Sequence, residues 1–122
     1  MNTFQDIHGT TVLVCPPDGP LLHGEREATD LIGASAYGGA TWVAVPVERL
    51  TDAFFRLRTR VAGDIVQKFA QYRVGLVVLG DIASHVEESP ALRDFVRECN
   101  RGTQIWFVAD TEALAERLAP AS

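Results

Sequence analysis

Arg58-Thr59-Arg60 sets a hydroxyl between two guanidinium groups. At the start of a helix such a hydroxyl could hold or carry phosphate, because free backbone N–H groups and the helix dipole favour an anion there. The plainer reading makes Thr59 a structural cap and leaves Arg58 and Arg60 in water. Asp81, Ser84 and His85 bring an acid, a hydroxyl and an imidazole into one short stretch. They stand too close together for the elbow that presents a nucleophilic serine, and no G-x-S-x-G occurs. Asp81 directly after Gly80 could meet a ligand hydroxyl or a metal ion, although an aspartate there ordinarily caps the following turn. Arg93, Arg97 and Arg101 recur every four residues beside Asp94 and Glu98. That spacing makes either a phosphate-binding ridge or, by default, a solvated face laced with ion pairs.

Other chemistries lack their residues. Cys15 and Cys99 form no C-x-x-C pair and read as small packed thiols, and His8, His23 and His85 are scattered, so zinc-ligand spacing is missing. Gly33 and Gly38-Gly39 make no G-x-G-x-x-G phosphate loop after a strand. No metal or cofactor is expected. A net charge of −5 gives no global basic field, which disfavours nucleic acid and anionic membrane as partners. MNTFQDIHG has neither the basic nor the apolar region of a signal peptide, and no apolar run approaches the roughly 18 residues of a membrane span. A cytoplasmic location is the expectation.

These residues must be positioned by elements the pattern makes plain. Phe4–His8 and Thr10–Cys15 form a hairpin across His8-Gly9, and the prolines of Pro16-Pro17-Asp18-Gly19-Pro20 end the second strand. Glu25–Tyr37 reads as a helix closed by Gly38-Gly39. Trp42–Val47, Val74–Leu79 and Gln104–Ala109 are continuous apolar runs, as strands covered on both faces must be. Ser89-Pro90 opens a helix ended by Asn100-Arg101-Gly102 in a left-handed cap, and Asp110 caps the last helix. Asp81–Ser89 reads as a surface loop or lid. The order β-β-α-β-α-β-α-β-α predicts one α/β domain over 1–122, a single-layer mixed, mostly parallel sheet with crossover helices.

The stretch between the second and third apolar runs has two registers. Thr51 can cap one long helix to Tyr72 along Phe54, Leu57, Val61, Ile65, Phe69 and Tyr72; or residues 50–58 form a loop or turn and Thr59 caps a helix starting at Arg60. Gly63 would be tolerable inside that helix where another backbone approaches closely. Phe54, Phe55, Phe69, Tyr72, Trp106 and Phe107 read as core where this helix crosses the sheet, or as a pocket or dimer surface if some stay exposed.

FFRLRTRVAGDIVQKFAQYRVGLVVLG, with LRDFVRECNRGTQIWFV, resembles a bacterial family catalogued as domain of unknown function 4180, over about Val12 to Leu118. The element order further resembles the STAS (sulfate transporter and anti-sigma factor antagonist) domain. The resemblance sets Phe55 on a phenylalanine of that class, Leu57 on its aspartate and Arg58 on its first serine. It sets Thr59 on the phosphorylated serine and Arg60 on a glycine. The aspartate and glycine are therefore replaced, and the phosphosite is matched only in outline.

The leading expectation is a STAS-like, non-catalytic regulatory or protein-interaction domain, self-associating as a homodimer. The alternative is a small-molecule binder or enzyme with an aromatic-lined pocket for a small apolar ligand, between the second helix and the strand ends. Phe55, Arg58, Thr59, Arg60, Asp81 and His85 are the candidate binding residues.

Overall fold

Positive φ angles at His8 (52°) and Gly9 (87°) fold β1 (Thr3–Ile7) back on β2 (Thr10–Val14). Two left-handed residues are what a two-residue turn needs to match strand twist. Asp6 steadies it, its Oδ1 accepting the Gly9 N–H at 2.8 Å. In the computed structural model, which describes residues 1–120, this hairpin is antiparallel with Ile7 opposite Thr10.

The remaining strands, β3 (Trp42–Pro46), β4 (Gly75–Leu79) and β5 (Ile105–Val108), run parallel to β2 in the order β1-β2-β3-β4-β5. Helix α1 (Glu25–Tyr37) connects β2 to β3 and has the predicted bounds. Glu27 accepts the backbone N–H groups of His23 and Gly24 at its start, and Gly39 (φ 71°) turns the chain away at its end. Between β3 and β4 come α2 (Asp52–Phe55) and α3 (Val61–Gln71). Between β4 and β5 come α4 (Ala83–Glu88) and α5 (Pro90–Arg101), and α6 (Thr111–Leu118) follows β5. The Ser89 and Asp110 caps form as expected, accepting the N–H of Leu92 and of Ala113.

One face of the sheet (Leu13, Val43, Val45, Leu76, Val78, Phe107) packs under α1, α3 and α5 through Leu31, Ile32, Ile65, Phe69 and Leu92. The other face (Val12, Ala44, Val77, Trp106) meets Leu114 of α6. Burial on both sides explains strands without alternation. On the α6 face Trp42 stacks on Trp106, ring centroids 4.1 Å apart, and Arg117 lies over the Trp106 ring. A side chain on Gly75 would drive its Cβ into the Trp42 ring, so only glycine lets that ring lie against β4.

Several expectations need correction. Asp81–Ser89 is not a plain loop: it contains α4, whose two turns the short apolar spacing did not advertise. Gly102 is extended (φ −92°) and not left-handed, because the chain passes straight toward β5. Tyr72 is 53 % exposed, since α3 ends before it and the stripe rotates off the core there. Gly63 faces open space: a Cβ there would meet nothing within 4 Å, so no backbone packs against it.

Candidate functional site

Thr51 caps α2, its Oγ1 accepting the Phe54 N–H at 3.2 Å, but the helix lasts one turn. The reason lies at Thr59. Its hydroxyl donates toward the carbonyls of Ala53 (2.6 Å) and Arg56 (2.8 Å) and accepts the Val61 N–H at 3.3 Å. A threonine bonding nearby backbone offers the chain an alternative to the helix ladder. Leu57–Thr59 tightens into a 3-10 turn, and Arg60 takes the left-handed conformation (φ 68°) before α3 begins at Val61. The long helix from Thr51 to Tyr72 is therefore not formed. The Thr59 register is nearer, one residue early at the helix start.

This break decides which side chains meet. Phe54 and Phe55 turn into the core, edge to face with ring centroids 5.3 Å apart. The half-buried His85 of α4 lies flat on Phe55, 3.9 Å between ring centroids and 8° between planes. The two rings form the floor of an open cleft of about 500 Å³, also lined by Asp52, Arg56, Arg58 and Glu88. It sits beyond the carboxyl ends of β3 and β4, the edge where open α/β sheets bind ligands. Arg56, Arg58 and Arg60 are all exposed and make no ion pair among the described residues.

Phe55, Arg58 and His85 thus come together. Thr59 and Arg60 shape the adjoining turn without lining the cleft. Asp81 stands apart: its Oδ1 accepts the Ala83 N–H at 2.8 Å, and it borders a separate shallow hollow with Ile82, Val86 and Phe107. Arg93, Arg97 and Arg101 form the solvated face expected of them, with Arg97–Asp94 and Arg101–Glu98 pairs.

Sequence reasoning missed Arg56 as a cleft residue, and it missed Arg49 altogether. Arg49 is 3 % exposed and donates from Nε to the Pro20 carbonyl (2.5 Å) and from Nη1 to the Pro16 carbonyl (2.9 Å). Its guanidinium lies against Gly19, where an added Cβ would come within 2.5 Å. A proline-rich loop is short of N–H donors while keeping its carbonyls, and that deficit was the available signal. Burial pushes the Cys15 thiol above its ordinary pKa, opposed by the neighbouring Arg49 cation. Burial and the Glu98 charge raise that of Cys99 as well.

Among the described residues no three histidine, cysteine or acidic side chains group as metal ligands, and no helix is long and apolar enough to cross a membrane. No curated protein and no solved structure matches the chain. The residues from Ile7 to Leu118, which build all of β2–β5 and every helix around the cleft, match a family described as a domain of unknown function (DUF4180), and the chain belongs to that family.

Proposed function

We propose that this is a non-catalytic regulatory or protein-interaction domain that docks an acidic segment of a partner protein in the cleft between α2 and α4. The observation that carries this reading is the Phe55–His85 stack with Arg56 and Arg58 beside it. The half-buried His85 ring, backed by buried Phe55, supplies the aromatic contact, and each guanidinium presents a planar fork that matches a carboxylate with two hydrogen bonds. With no internal carboxylate holding them among the described residues, both forks remain available. Asp52 and Glu88 line the same cleft, so an acidic segment would be selected by the placement of the two guanidinium forks and not by a net positive field. The STAS-like reading of the architecture is supported by the N-terminal antiparallel hairpin and the parallel strands after it. Thr59 enters this reading as a positioning residue, since its hydroxyl is engaged by backbone on three sides.

Fluorescence anisotropy of a labelled Asp/Glu-rich peptide tests the proposal. Binding should weaken at least tenfold in the Arg56→Glu/Arg58→Glu variant and fall with added salt. A neutral peptide of the same length binding equally well, or a charge reversal without effect, would sink it. A cleft of about 500 Å³ with an aromatic floor is also of the size that holds a small ligand. Thermal-shift screening that raises the melting temperature with small aromatic anions, while acidic peptides do nothing, would favour that second reading.

A further inference from the structure

The two edges of the sheet are treated differently. On β5 the side-chain amide of Asn100 reaches out of α5, accepting the Phe107 N–H at 2.7 Å and donating to the Phe107 carbonyl at 3.3 Å. Val108 and Gln104 give their carbonyls to β4, so in the parallel ladder Phe107 is an outward-facing residue. Asn100 therefore stands in for the missing neighbouring strand.

On β1 nothing equivalent exists among the described residues. Ile7 and Thr10 close the hairpin, so Ile7, Gln5 and Thr3 turn their N–H and C=O groups toward β2. Those of Phe4 and Asp6 point away from the sheet. Edge strands are commonly protected by proline, lysine or a bulge. The strand TFQDI has no proline, lysine or bulge, its one charge, Asp6, is drawn to the turn by the Gly9 N–H, and its pairing with β2 is regular along all five residues. It also carries an aromatic ring on the face of the sheet at the end of α1, beside the place a neighbouring strand would take. Phe4 is 43 % exposed, its ring seated on Gly38, and Tyr37 beside that glycine is 93 % exposed.

We propose that β1 pairs antiparallel with β1 of a second copy, joining two five-stranded sheets into one. A two-fold axis presents each strand with its own sequence, so the register can be tested against the residues. Centred on Asp6, it would set two carboxylates face to face. Centred on Gln5, it would set each Phe4 against an Asp6 carboxylate. Centred on Phe4, it places Phe4 opposite Phe4, Thr3 opposite Gln5 and Asn2 opposite Asp6. Aromatic meets aromatic, and each polar side chain meets a hydrogen-bonding partner. Of these three registers the Phe4-centred one is self-complementary. This surface lies at the edge strand, away from the α2–α4 cleft, and does not depend on what that cleft binds.

Light scattering coupled to size exclusion should give a dimer mass for the wild-type chain at high micromolar concentration. Phe4→Pro removes the outward N–H and the ring at a position whose N–H makes no bond to β2, and should give monomer mass with an unchanged far-ultraviolet spectrum. If that variant does not fold, cysteine scanning in a Cys99→Ala background decides the matter. Facing Cα atoms of a hydrogen-bonded antiparallel pair lie about 5.5 Å apart, within disulfide reach. Phe4→Cys should then cross-link on mild oxidation and Gln5→Cys should not. A wild-type monomer at all concentrations overturns the proposal, as does a dimer in which neither Phe4→Pro nor the position-4 cysteine has any effect.

Discussion

His85 lies parallel to Phe55 with 3.9 Å between ring centroids, joining α4 to α2. This one contact ties together two connections that leave the sheet from neighbouring strands, β3 and β4. It makes the cleft floor a single aromatic surface instead of two separate loops.

Removing the imidazole should loosen that junction without dissolving the core, because Phe54 and Phe55 keep their contact with each other. His85→Ala is expected to cost about 0.5–1.5 kcal/mol, the range for an aromatic pair. Hydrogen exchange should rise in α4 while β3 and β4 stay protected. Equal exchange in the variant and wild type would show that the stack holds nothing in place.

Gly75 opposite Trp42 leads to a sharper expectation. Gly75→Ala sets a methyl group into the Trp42 ring, which must tilt off Trp106. Overpacking of this kind costs about 1–3 kcal/mol. Near-ultraviolet circular dichroism should lose the signal of the coupled indoles, and urea unfolding should move to lower concentration.

Arg49 holds the Pro16–Pro20 loop through two carbonyls. Arg49→Met keeps much of the stem and removes both donors, and because water can in part replace them at the exposed Pro20 and half-buried Pro16 carbonyls the loss should be about 1–3 kcal/mol in all. Arg49→Lys should recover only part of this loss, since a single ammonium cannot copy the fork that reaches both oxygens. Denaturant midpoints of the three proteins, ordered wild type, Lys, Met, check the argument.

The thiols make a pH-dependent prediction. Burial raises the Cys15 pKa in the folded chain, so the unfolded chain loses its proton first as pH rises. The contribution is fully present below the ordinary thiol range, about 8.5, and is lost as pH climbs above it. Wild-type stability should therefore fall more steeply above that pH than stability of Cys15→Ala. Iodoacetamide at neutral pH should label half-buried Cys99 before buried Cys15, and both slowly, because each pKa is raised.

How far the residues foretold this arrangement differs from element to element. The His8-Gly9 turn, the bounds of α1, the Ser89 and Asp110 caps and the apolar strands were all legible, because each depends on neighbours within a few positions. The segment from Thr51 to Tyr72 was legible only as two alternatives, of which the one with a helix starting near Thr59 lies within a residue of the observed α3. Its apolar spacing suits one helix, and only the carbonyls of Ala53 and Arg56 arriving at the Thr59 hydroxyl break it. Of the candidate residues, Phe55, Arg58 and His85 were gathered into one cleft while Asp81 was left outside it.

Because caps, turns and periodicity act locally, the amino-acid sequence alone determined the five strands and their order, the helices α1, α5 and α6, and the α/β class, but not α4 or the break between α2 and α3. Tertiary structure alone decided that His85 covers Phe55, that Trp42 crosses Gly75 to reach Trp106, and that Arg49 serves a loop 29 residues before it. Those contacts form between distant positions when the sheet assembles, and no local propensity records them. The same is true of the β1 edge: its residues are readable one by one, and that they lie unpaired at the border of a sheet is a property of the fold.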